Sequence, residues 1–521
     1  MSRILLTCSS GFFWIRIFKF KTYKMREQLK NAKIKFSITL DNLSINHYVI
    51  FGSVLVLIVL LVNLSLGRTA RWDILDHLEM ADRYEKFGTL YPNFNEKYLT
   101  GSSVYFPGVS FISIFLKKFI PDMLIILSMQ ILACCFIVAF YFIQKYISRS
   151  FYYSINSIHF FYATILYFIF LNYEWLIYAV EFKPDIAAYC IGSLGIIISG
   201  VDKEKRKSLI LFILGIILSG IAILFKQQYI FFLFGLIFFT ILNKNKKLII
   251  FTITSTLISF VILFLIKSNP NAWYWTVTVL SDDGFLSLKE WLKSQELLIF
   301  TYFIGFIVFL TFFLLKEYKF PIRRFEILNI KNILKSNIWF SVMIFVFFGS
   351  LISSLKIGGN SGNTAFGLVI LLPFALYYFN NLKLRQLFVL SLLILFIKVP
   401  FLLYSNFKHY LKIQEFSNNV EKLINVKGVK VLTGSDVYYS TRKIRLGNEI
   451  TNYWMYSKID NSSLSSKLNN IIKSNDFNYI LVESWPENYQ FLKKSGKYKI
   501  LFKNDIGILA IRNVNSKIIN Q

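Results

Sequence analysis

Acidic side chains recur at helical spacing in the polar stretch 71–84, which begins soon after an apolar segment that ends at Leu66. Asp73 and Asp76 are three residues apart, so they would share one face of a helix, with His77 beside them. A carboxylate at the edge of a bilayer is suited to act as a general base, because nearby charges and partial burial adjust its pKa. The same spacing is also typical of an amphipathic interfacial helix with a solvated acidic face, and spacing alone leaves both interpretations open.

Charged residues also lie at the boundaries of later apolar blocks. The run from Glu181 to Asp185 includes Lys183 and precedes one block, and such charges mark either an interface or a binding site. Lys226 and Gln227 stand between two apolar blocks with almost no loop, and Lys356 precedes a Gly-Gly-Asn sequence that ends at Asn360. Each lysine could hold a phosphate as a point charge, or extend along apolar surface to lipid headgroups.

Other familiar chemistry is absent from the sequence. It contains neither a P-loop nor an HExxH motif, and its Gly-Gly-Asn sequence lacks the strand–helix context of a dinucleotide fingerprint. Trp273, Tyr274 and Trp275 are expected to form an aromatic belt at the membrane interface.

Composition indicates what must position these residues. Of the 521 residues, 55% are hydrophobic and 18% aromatic, and the apolar residues come in blocks long enough to cross a bilayer as helices. The net charge of +29 comes mainly from short basic clusters between the apolar blocks. That pattern fixes the orientation of a membrane protein and argues against nucleic acid as a partner.

The sequence therefore predicts a polytopic α-helical membrane protein with about 11 spans. A basic cytoplasmic tail, 1–45, precedes a transmembrane domain, 46–403, whose large first extracytoplasmic loop is 67–108. A short apolar piece at 109–120 is predicted to be interfacial or re-entrant. The predicted spans are 46–66, 122–143, 151–171, 186–200, 208–225, 229–242, 248–266, 297–315, 338–355, 364–380 and 387–403.

The chain becomes polar and mixed at about residue 404. Strand-like and helix-like runs alternate from there, which predicts a small α/β domain at 404–521. With the basic clusters on the cytoplasmic side, this domain would be extracytoplasmic. The whole chain is expected in a bacterial inner or plasma membrane.

The order of these elements resembles the GT-C glycosyltransferases of the protein-O-mannosyltransferase and aminoarabinose-transferase type. One span is followed by an outer loop with an early Asp, then Ala, Gly and Tyr at set distances, then a Tyr-x-Pro element. The Lys-Pro-Asp sequence that opens a span, the Lys-Gln pair and the late Gly-Gly-Asn loop are also similar to bacterial members. The first-loop residues that carry the resemblance are Asp73, Ala81, Gly88, Tyr91 and the run Tyr105-Phe106-Pro107.

The resemblance implies an inverting transfer of a hexosyl or pentosyl group from a polyprenyl-phosphate donor to a hydroxyl of an envelope glycan, lipid or protein. By matching position Asp73 is the candidate base and Asp76 the reserve, although His77 stands where many relatives have an aromatic residue. Basic groups would neutralise the departing phosphate. The residues predicted to bind it are Lys226, then Lys183 or Lys356.

The predicted substrate contacts are Glu181, Asp185, Gln227, Tyr105 and Asn360. Some GT-C enzymes use a divalent metal, so Mg²⁺ or Mn²⁺ could be held by Asp73 and Asp185 through hard oxygen ligands. Nothing in the sequence demands a metal or another cofactor.

Two other functions fit a chain of this kind. A transporter or flippase of lipid-linked saccharides should have broken helices and ionisable groups near the midplane. Here most charges concentrate at the predicted outer ends and loops, which favours an extracytoplasmic enzyme. A membrane enzyme of the O-antigen ligase or polymerase type would carry its large loop late in the chain, whereas here the acidic loop comes first.

Overall fold

A computed structural model describes much of the transmembrane region and part of the polar C-terminal stretch. The described residues are 72–93, 96, 106–151, 157–171, 182–203, 208–278, 287, 291, 337–355, 361–373, 384–424, 431–433, 477–484 and 486–513.

Helices dominate the region up to residue 424. Two single turns of 3₁₀-helix interrupt them, at Val201–Lys203 and Ala222–Leu224, and a π-helical turn follows α9 at Tyr274–Thr278. The α-helices are α1 (Trp72–Phe87), α2 (Gly108–Phe119), α3 (Asp122–Phe151), α4 (Ser157–Leu171), α5 (Pro184–Ser199), α6 (Leu209–Ile221), α7 (Tyr229–Asn243), α8 (Lys246–Ser268), α9 (Pro270–Trp273), α10 (Ile338–Ser354), α11 (Ser361–Ile370), α12 (Leu384–Leu423) and α13 (Pro486–Ser495).

Nine of the predicted spans fall on helices α3 to α8 and α10 to α12, in whole or in part. Among the described residues, Leu124–Phe151 and Lys246–Ser268 are long and apolar enough to cross a membrane, and four shorter apolar helices accompany them. The predicted spans 46–66 and 297–315 lie outside the described residues. The total of about 11 spans therefore stays a prediction.

Small residues let the central helices approach closely. A Cβ on Gly195 of α5 would lie 2.5 Å from the carbonyl oxygen of Gly215 on α6, and a Cβ on Gly215 would lie 2.5 Å from the carbonyl oxygen of Gly195. Close backbone contact of this kind is a main source of association between helices in lipid. The hydrophobic effect does not drive helices together there, because the lipid tails are as apolar as the helix surfaces.

Helix α2 coincides with the predicted interfacial piece and is amphipathic. Val109 and Ser113 are buried, whereas Phe111, Phe115 and Phe119 are exposed at four-residue intervals along the opposite side. Twelve residues are too short to span a bilayer. The exposed rings therefore suit a helix that lies along a membrane surface.

The polar stretch contributes a four-stranded sheet in the order β1-β2-β4-β3. Its strands are β1 (Val431–Thr433), β2 (Tyr479–Glu483), β3 (Tyr498–Lys503) and β4 (Gly507–Arg512). The pair β1–β2 is parallel, whereas β4 is antiparallel to both β2 and β3. The sequence predicts strands at 429–432, 479–482, 498–502 and 508–511 and helices at 462–472 and 487–494. The predicted strands overlap β1 to β4 and the later helix lies within α13, whereas 462–472 lies outside the described residues.

Helix α12 continues through the predicted domain boundary at 403/404 and joins the two regions. It has 40 residues and is therefore about 60 Å long. Near its end, Phe416 and Val420 pack into a small apolar cluster with Leu481 and Leu509 of the sheet. The sheet is thus attached to the same helix whose first turns pack against α4.

Candidate functional site

An ion pair between Lys226 and Asp185 lies at one end of the helical bundle. The Lys226 Nζ is 3.3 Å from the Asp185 Oδ2, and the two side chains are only 10% and 13% exposed. Removing one partner of a nearly buried ion pair leaves the other charge uncompensated, at a cost of about 3–5 kcal/mol. The sequence predicted both residues as site residues but did not predict that they pair.

Asp185 is positioned by the start of α5. Pro184 occupies the first turn, where its missing N–H costs nothing, and its fixed φ suits helix initiation. The carboxylate of Asp185 in this first turn is stabilised by the helix dipole. Lys183 is the N-cap residue of α5 and half-buried, and it is not among the residues that line the pocket described below.

Lys226 is positioned by a break between α6 and α7. The 3₁₀ turn Ala222–Leu224 ends α6, and the N–H of Tyr229 at the start of α7 donates to the Lys226 carbonyl at 3.1 Å. The chain reverses here with almost no loop, as the sequence predicted. A tight turn of this kind fixes the Lys226 backbone relative to both helices.

The ion pair stands at the polar edge of a pocket that encloses about 300 Å³ of space, part of it open to solvent. Its walls come from α5, α7, α10 and α11. Asp185, Lys226 and Gln228 form the polar side, and Tyr189, Tyr229 and Ser350 add hydroxyl groups. The other walls are apolar, formed by Ala188, Phe232, Val346 and Phe366. Such a pocket suits a ligand that has both an anionic and a hydrocarbon part.

The side chain of Tyr229, which lines this pocket, is held in place by contacts on several sides. Its ring stacks on Phe232 with the centroids 4.8 Å apart, and its hydroxyl is 3.1 Å from the Ser219 Oγ. The other face is set by Gly192, where an added Cβ would lie 2.4 Å from the Tyr229 hydroxyl oxygen. Because Gly192 has no side chain, it leaves the space that the Tyr229 ring and hydroxyl occupy.

Segments far apart in sequence meet at the same end of the bundle. The Gln227 amide donates to the Thr276 carbonyl at 3.1 Å, and the Trp275 indole N–H donates to the Pro92 carbonyl at 2.8 Å. The start of α2 also touches this turn, since a Cβ on Gly108 would lie 2.7 Å from the Leu224 carbonyl oxygen. The first loop, the Lys226 turn and the α8–α9 region are thus one packed unit.

The aromatic belt predicted for residues 273–275 is wrong for Trp275. Its side chain is fully buried, while Trp273 and Tyr274 are half-buried. A π-helical turn at Tyr274–Thr278 brings Trp275 inward, and its N–H finds a carbonyl partner there. Buried indoles ordinarily have such a partner.

The predicted bases Asp73 and Asp76 lie in the first turns of α1, where helical spacing places them on one face. Only their backbone is described. The rest of α1 is well anchored: the His77 Nδ1 is 3.0 Å from the Ser110 Oγ of α2, and the Arg83 guanidinium binds both oxygens of Glu96, at 3.0 Å and 2.6 Å. The helix that carries the candidate bases is therefore held against α2 and the first loop.

A second link between α1 and α2 is made by Lys117. Its ammonium donates to Asp82 and, at 2.7 Å, to Glu85. Burial opposes the charge on Lys117, but hydrogen bonds and charge attraction from these carboxylates outweigh it and raise its pKa above the ordinary value. The lysine therefore remains a cation that fixes α2 to α1.

Four predicted site residues, Glu181, Tyr105, Lys356 and Asn360, lie outside the described residues. Asp185, which was predicted for the site, pairs with Lys226, whereas the Gln227 amide donates to the Thr276 carbonyl, and Gln228 lines the pocket in its place. Within the described part of the chain, no group of three or more His, Cys, Asp or Glu residues could hold a metal ion. The metal predicted at Asp73 and Asp185 stays a prediction.

Several pocket residues were not predicted from the sequence. Tyr189 could have been found, because it lies one helical turn after Asp185, and Tyr229 could have been found, because it follows Lys226-Gln227-Gln228 directly. Ser350 and Phe366 carry no local signal. They reach the pocket only because α10 and α11 pack beside α7 and α5.

The fold was compared with known proteins. It is similar to ArnT from Cupriavidus metallidurans in its crystal structure bound to undecaprenyl phosphate, with a TM-score of 0.59 and 11% sequence identity over 91% of this chain and 99% of that chain. The apo crystal structure of the same ArnT matches with a TM-score of 0.46 and 9% identity over 89% and 98% of the two chains. No protein-family model matches the sequence, and no curated protein matches it significantly.

At 11% identity this likeness shows the fold alone, which is similar to that of ArnT. The resemblance predicted from the sequence is confirmed at that level. The chain accordingly has the architecture of an integral membrane protein.

Proposed function

We propose that this protein is an inverting glycosyltransferase that takes a sugar from a polyprenyl-phosphate donor and transfers it to an acceptor hydroxyl outside the cytoplasm. The observation that supports this function best is the Lys226–Asp185 pair at the polar edge of a pocket with apolar walls. A prenyl phosphate has the matching division, an anionic head on a hydrocarbon chain. Undecaprenyl phosphate is the ligand in the ArnT crystal structure with the similar fold.

The phosphate would bind at Lys226. Lys226 is 8% exposed as a residue, so its ammonium acts in a medium of low dielectric, where it stabilises a developing negative charge more than it would in water. Asp185 would hold the ammonium near the phosphate. Phe232, Val346 and Phe366 would contact the first prenyl units.

The base would come from the first turns of α1. The acceptor hydroxyl gives its proton to the Asp73 carboxylate, and its oxygen bonds to the anomeric carbon. The bond between that carbon and the phosphate oxygen breaks, and its electron pair leaves with the phosphate. Because the acceptor attacks opposite the leaving group, the anomeric configuration inverts. Asp76, one turn later, is the alternative base.

The decisive experiment uses the full-length chain in proteoliposomes with radiolabelled polyprenyl-phosphate sugars and envelope lipid or glycan as acceptor. Wild type is expected to transfer the sugar and release polyprenyl phosphate. Lys226→Gln should lower transfer by about 10²–10³-fold, the usual loss when one stabiliser of transition-state charge is removed. The matched control Lys203→Gln removes a cation from the opposite end of the bundle and should retain activity near that of wild type.

Two outcomes would overturn the proposal. If wild type consumes no donor while a lipid-linked saccharide crosses the bilayer, the protein is a transporter. If Lys203→Gln lowers transfer as much as Lys226→Gln, the effect belongs to net charge or folding and not to this pocket.

A further inference from the structure

The part of α12 that extends beyond the predicted membrane boundary carries exposed apolar side chains in one stripe. Tyr404, Phe407 and Leu411 are 66%, 52% and 50% exposed. Their spacing of three and four residues places them on one face of the helix. Large apolar side chains that remain exposed in a contiguous stripe mark a contact with another apolar phase or protein.

The same stripe becomes charged one turn later. Glu415 follows Leu411 by four residues on this face and is exposed, and its carboxylate accepts a hydrogen bond from the Asn504 amide at 3.3 Å. The change from apolar to acidic between Leu411 and Glu415 is the change expected where a helix leaves a lipid headgroup layer. This layer adds about 5–7 Å to each side of the hydrocarbon core, so, counted back from this change, it covers the stretch from Phe407 to Leu411, which is about 6 Å long along the helix axis.

Lysines accompany the stripe. Lys408 is exposed and lies about 7.5 Å along the helix beyond residue 403, within reach of headgroup phosphates for a flexible lysine. Lys412 binds Asp505, and Lys503 at the end of β3 is exposed nearby, with Asp505 in the electrostatic range of all three lysines. Among the described residues no carboxylate forms an ion pair with Lys408 or Lys503, and the Lys503 ammonium lies 3.9 Å from the centroid of the Tyr489 ring.

The strands show which end of the sheet lies near this stripe. The Tyr479 hydroxyl at the start of β2 donates to the carbonyl of Leu423, at the end of α12, whereas Asn504 and Asp505 contact Lys412, 11 residues earlier in the helix. The β3–β4 turn is therefore the end of the sheet that lies closest to the predicted membrane. The opposite end carries the α13–β3 turn with Lys493 and Lys494.

We propose that Tyr404, Phe407, Leu411, Lys408 and Lys503 form a docking surface for anionic phospholipids. The apolar stripe enters the headgroup layer, and the two lysines bind lipid phosphates. Aromatic side chains prefer this layer, and each lysine near an anionic surface raises the local concentration of anionic lipid by about fivefold. The proposal concerns only the connection between helix and sheet and does not depend on the proposed transfer reaction.

The test measures which lipids lie next to the sheet. A fluorophore is placed at Ser484→Cys, near Asp505, in full-length chain whose native cysteines are alanine, reconstituted in phosphatidylcholine bilayers. Quenching by headgroup spin-labelled phosphatidylglycerol is compared with quenching by spin-labelled phosphatidylcholine at equal mole fraction. The expected ratio for wild type is several-fold above one, and it should fall at high salt because screening weakens the attraction.

Variants assign the effect to residues. Lys408→Gln with Lys503→Gln should bring the ratio close to one, whereas the matched pair Lys493→Gln with Lys494→Gln, which removes the same charge from the far end, should leave it unchanged. Tyr404→Ser with Phe407→Ser should reduce quenching by both lipids. This variant leaves the lysines in place and separates apolar contact from charge.

Three results would overturn the proposal. One is a ratio of one for wild type, and another is an equal fall for the far-end pair. The third is loss of the lipid preference in soluble glycerol phosphate at an ionic strength at which sodium chloride leaves the preference intact, which would show that the lysines bind free phosphate instead of a membrane.

Discussion

Both ends of the helical bundle carry a lysine and an aspartate, but these charged residues border a pocket at one end and contact neighbouring helices at the other. At the pocket end, Lys226 and Asp185 form a pair that borders an open pocket. At the other end, the Tyr146 hydroxyl donates to Asp202 at 2.6 Å, and the Lys203 ammonium lies 4.1 Å from the centroid of the Tyr146 ring.

Further hydrogen bonds connect the helices at this second, closed end. The Lys247 ammonium lies 3.4 Å from the Ser199 carbonyl, and the Asn337 amide donates to the Ser150 hydroxyl at 2.8 Å. These contacts join the ends of α3 and α5 to the starts of α8 and α10. Charged groups at one end can therefore meet a ligand, while those at the other end hold helices together. Substitutions at the two ends should consequently change different quantities.

The largest effect is expected from the candidate bases in the first turns of α1. Asp73→Asn should lower sugar transfer by about 10²–10⁴-fold, the range for loss of a general base, with little change in thermal stability. Asp76→Asn is the matched control one turn away. If only Asp76→Asn abolishes transfer, the base is Asp76, and if neither does, the base does not lie on α1.

A smaller effect is expected from filling the space beside Tyr229. Gly192→Ala would force the ring or the backbone to move, and overpacking of this kind costs about 1–3 kcal/mol. Thermal unfolding in detergent should show the loss, and KM for the donor should rise because Tyr229 lines the pocket. The double variant Gly192→Ala with Tyr229→Leu should recover stability. No recovery would mean that the strain lies elsewhere.

The smallest effect on transfer is expected at the closed end. Burial raises the pKa of Asp202 above its ordinary value, although the Tyr146 hydroxyl and Lys203 oppose this shift. A carboxyl whose folded pKa is raised contributes stability at low pH and loses it as the pH rises through that pKa. Wild type should therefore lose stability relative to Asp202→Asn as the pH rises above about 4. Transfer should stay within about twofold of wild type, measured on the same samples.

Two results would contradict these expectations for the two ends of the helical bundle. If Asp202→Asn lowers transfer as strongly as Lys226→Gln, the closed end takes part in the reaction. A constant difference in stability across the pH range would instead show that Asp202 has no raised pKa in the folded protein.

The helices could be predicted from the sequence because their apolar blocks and basic clusters are local signals. Pro184 predicted the start of α5, and the absence of a loop around Lys226 predicted the tight turn. The pairing of Asp185 with Lys226 could not be predicted, because it depends on how α5, α6 and α7 pack. That packing depends on contacts such as Gly195 on Gly215, which no periodicity encodes.

The predicted domain boundary at residue 404 shows a second limit of prediction from sequence. The change in composition there predicts a change of surroundings from lipid to water, yet the backbone of α12 continues as one helix to Leu423. A change in polarity indicates a change of solvent and does not by itself mark the end of an element. For Trp275 the error was similar, since the residue type favoured an interface while a π-helical turn placed it in the interior.

The strand order has a consequence for how the sheet assembles. Among the described strands β4 comes latest in the chain, yet it lies between β2 and β3 and contributes Ile508, Leu509 and Ala510 to the buried centre. Until the chain as far as Arg512 has been synthesised and moved to the same side as α12, β2 and β3 have no partner between them. The edges of both strands would stay open to wrong pairing during that interval. Biogenesis of this region should therefore be more sensitive to a delay before β4 than to one after it.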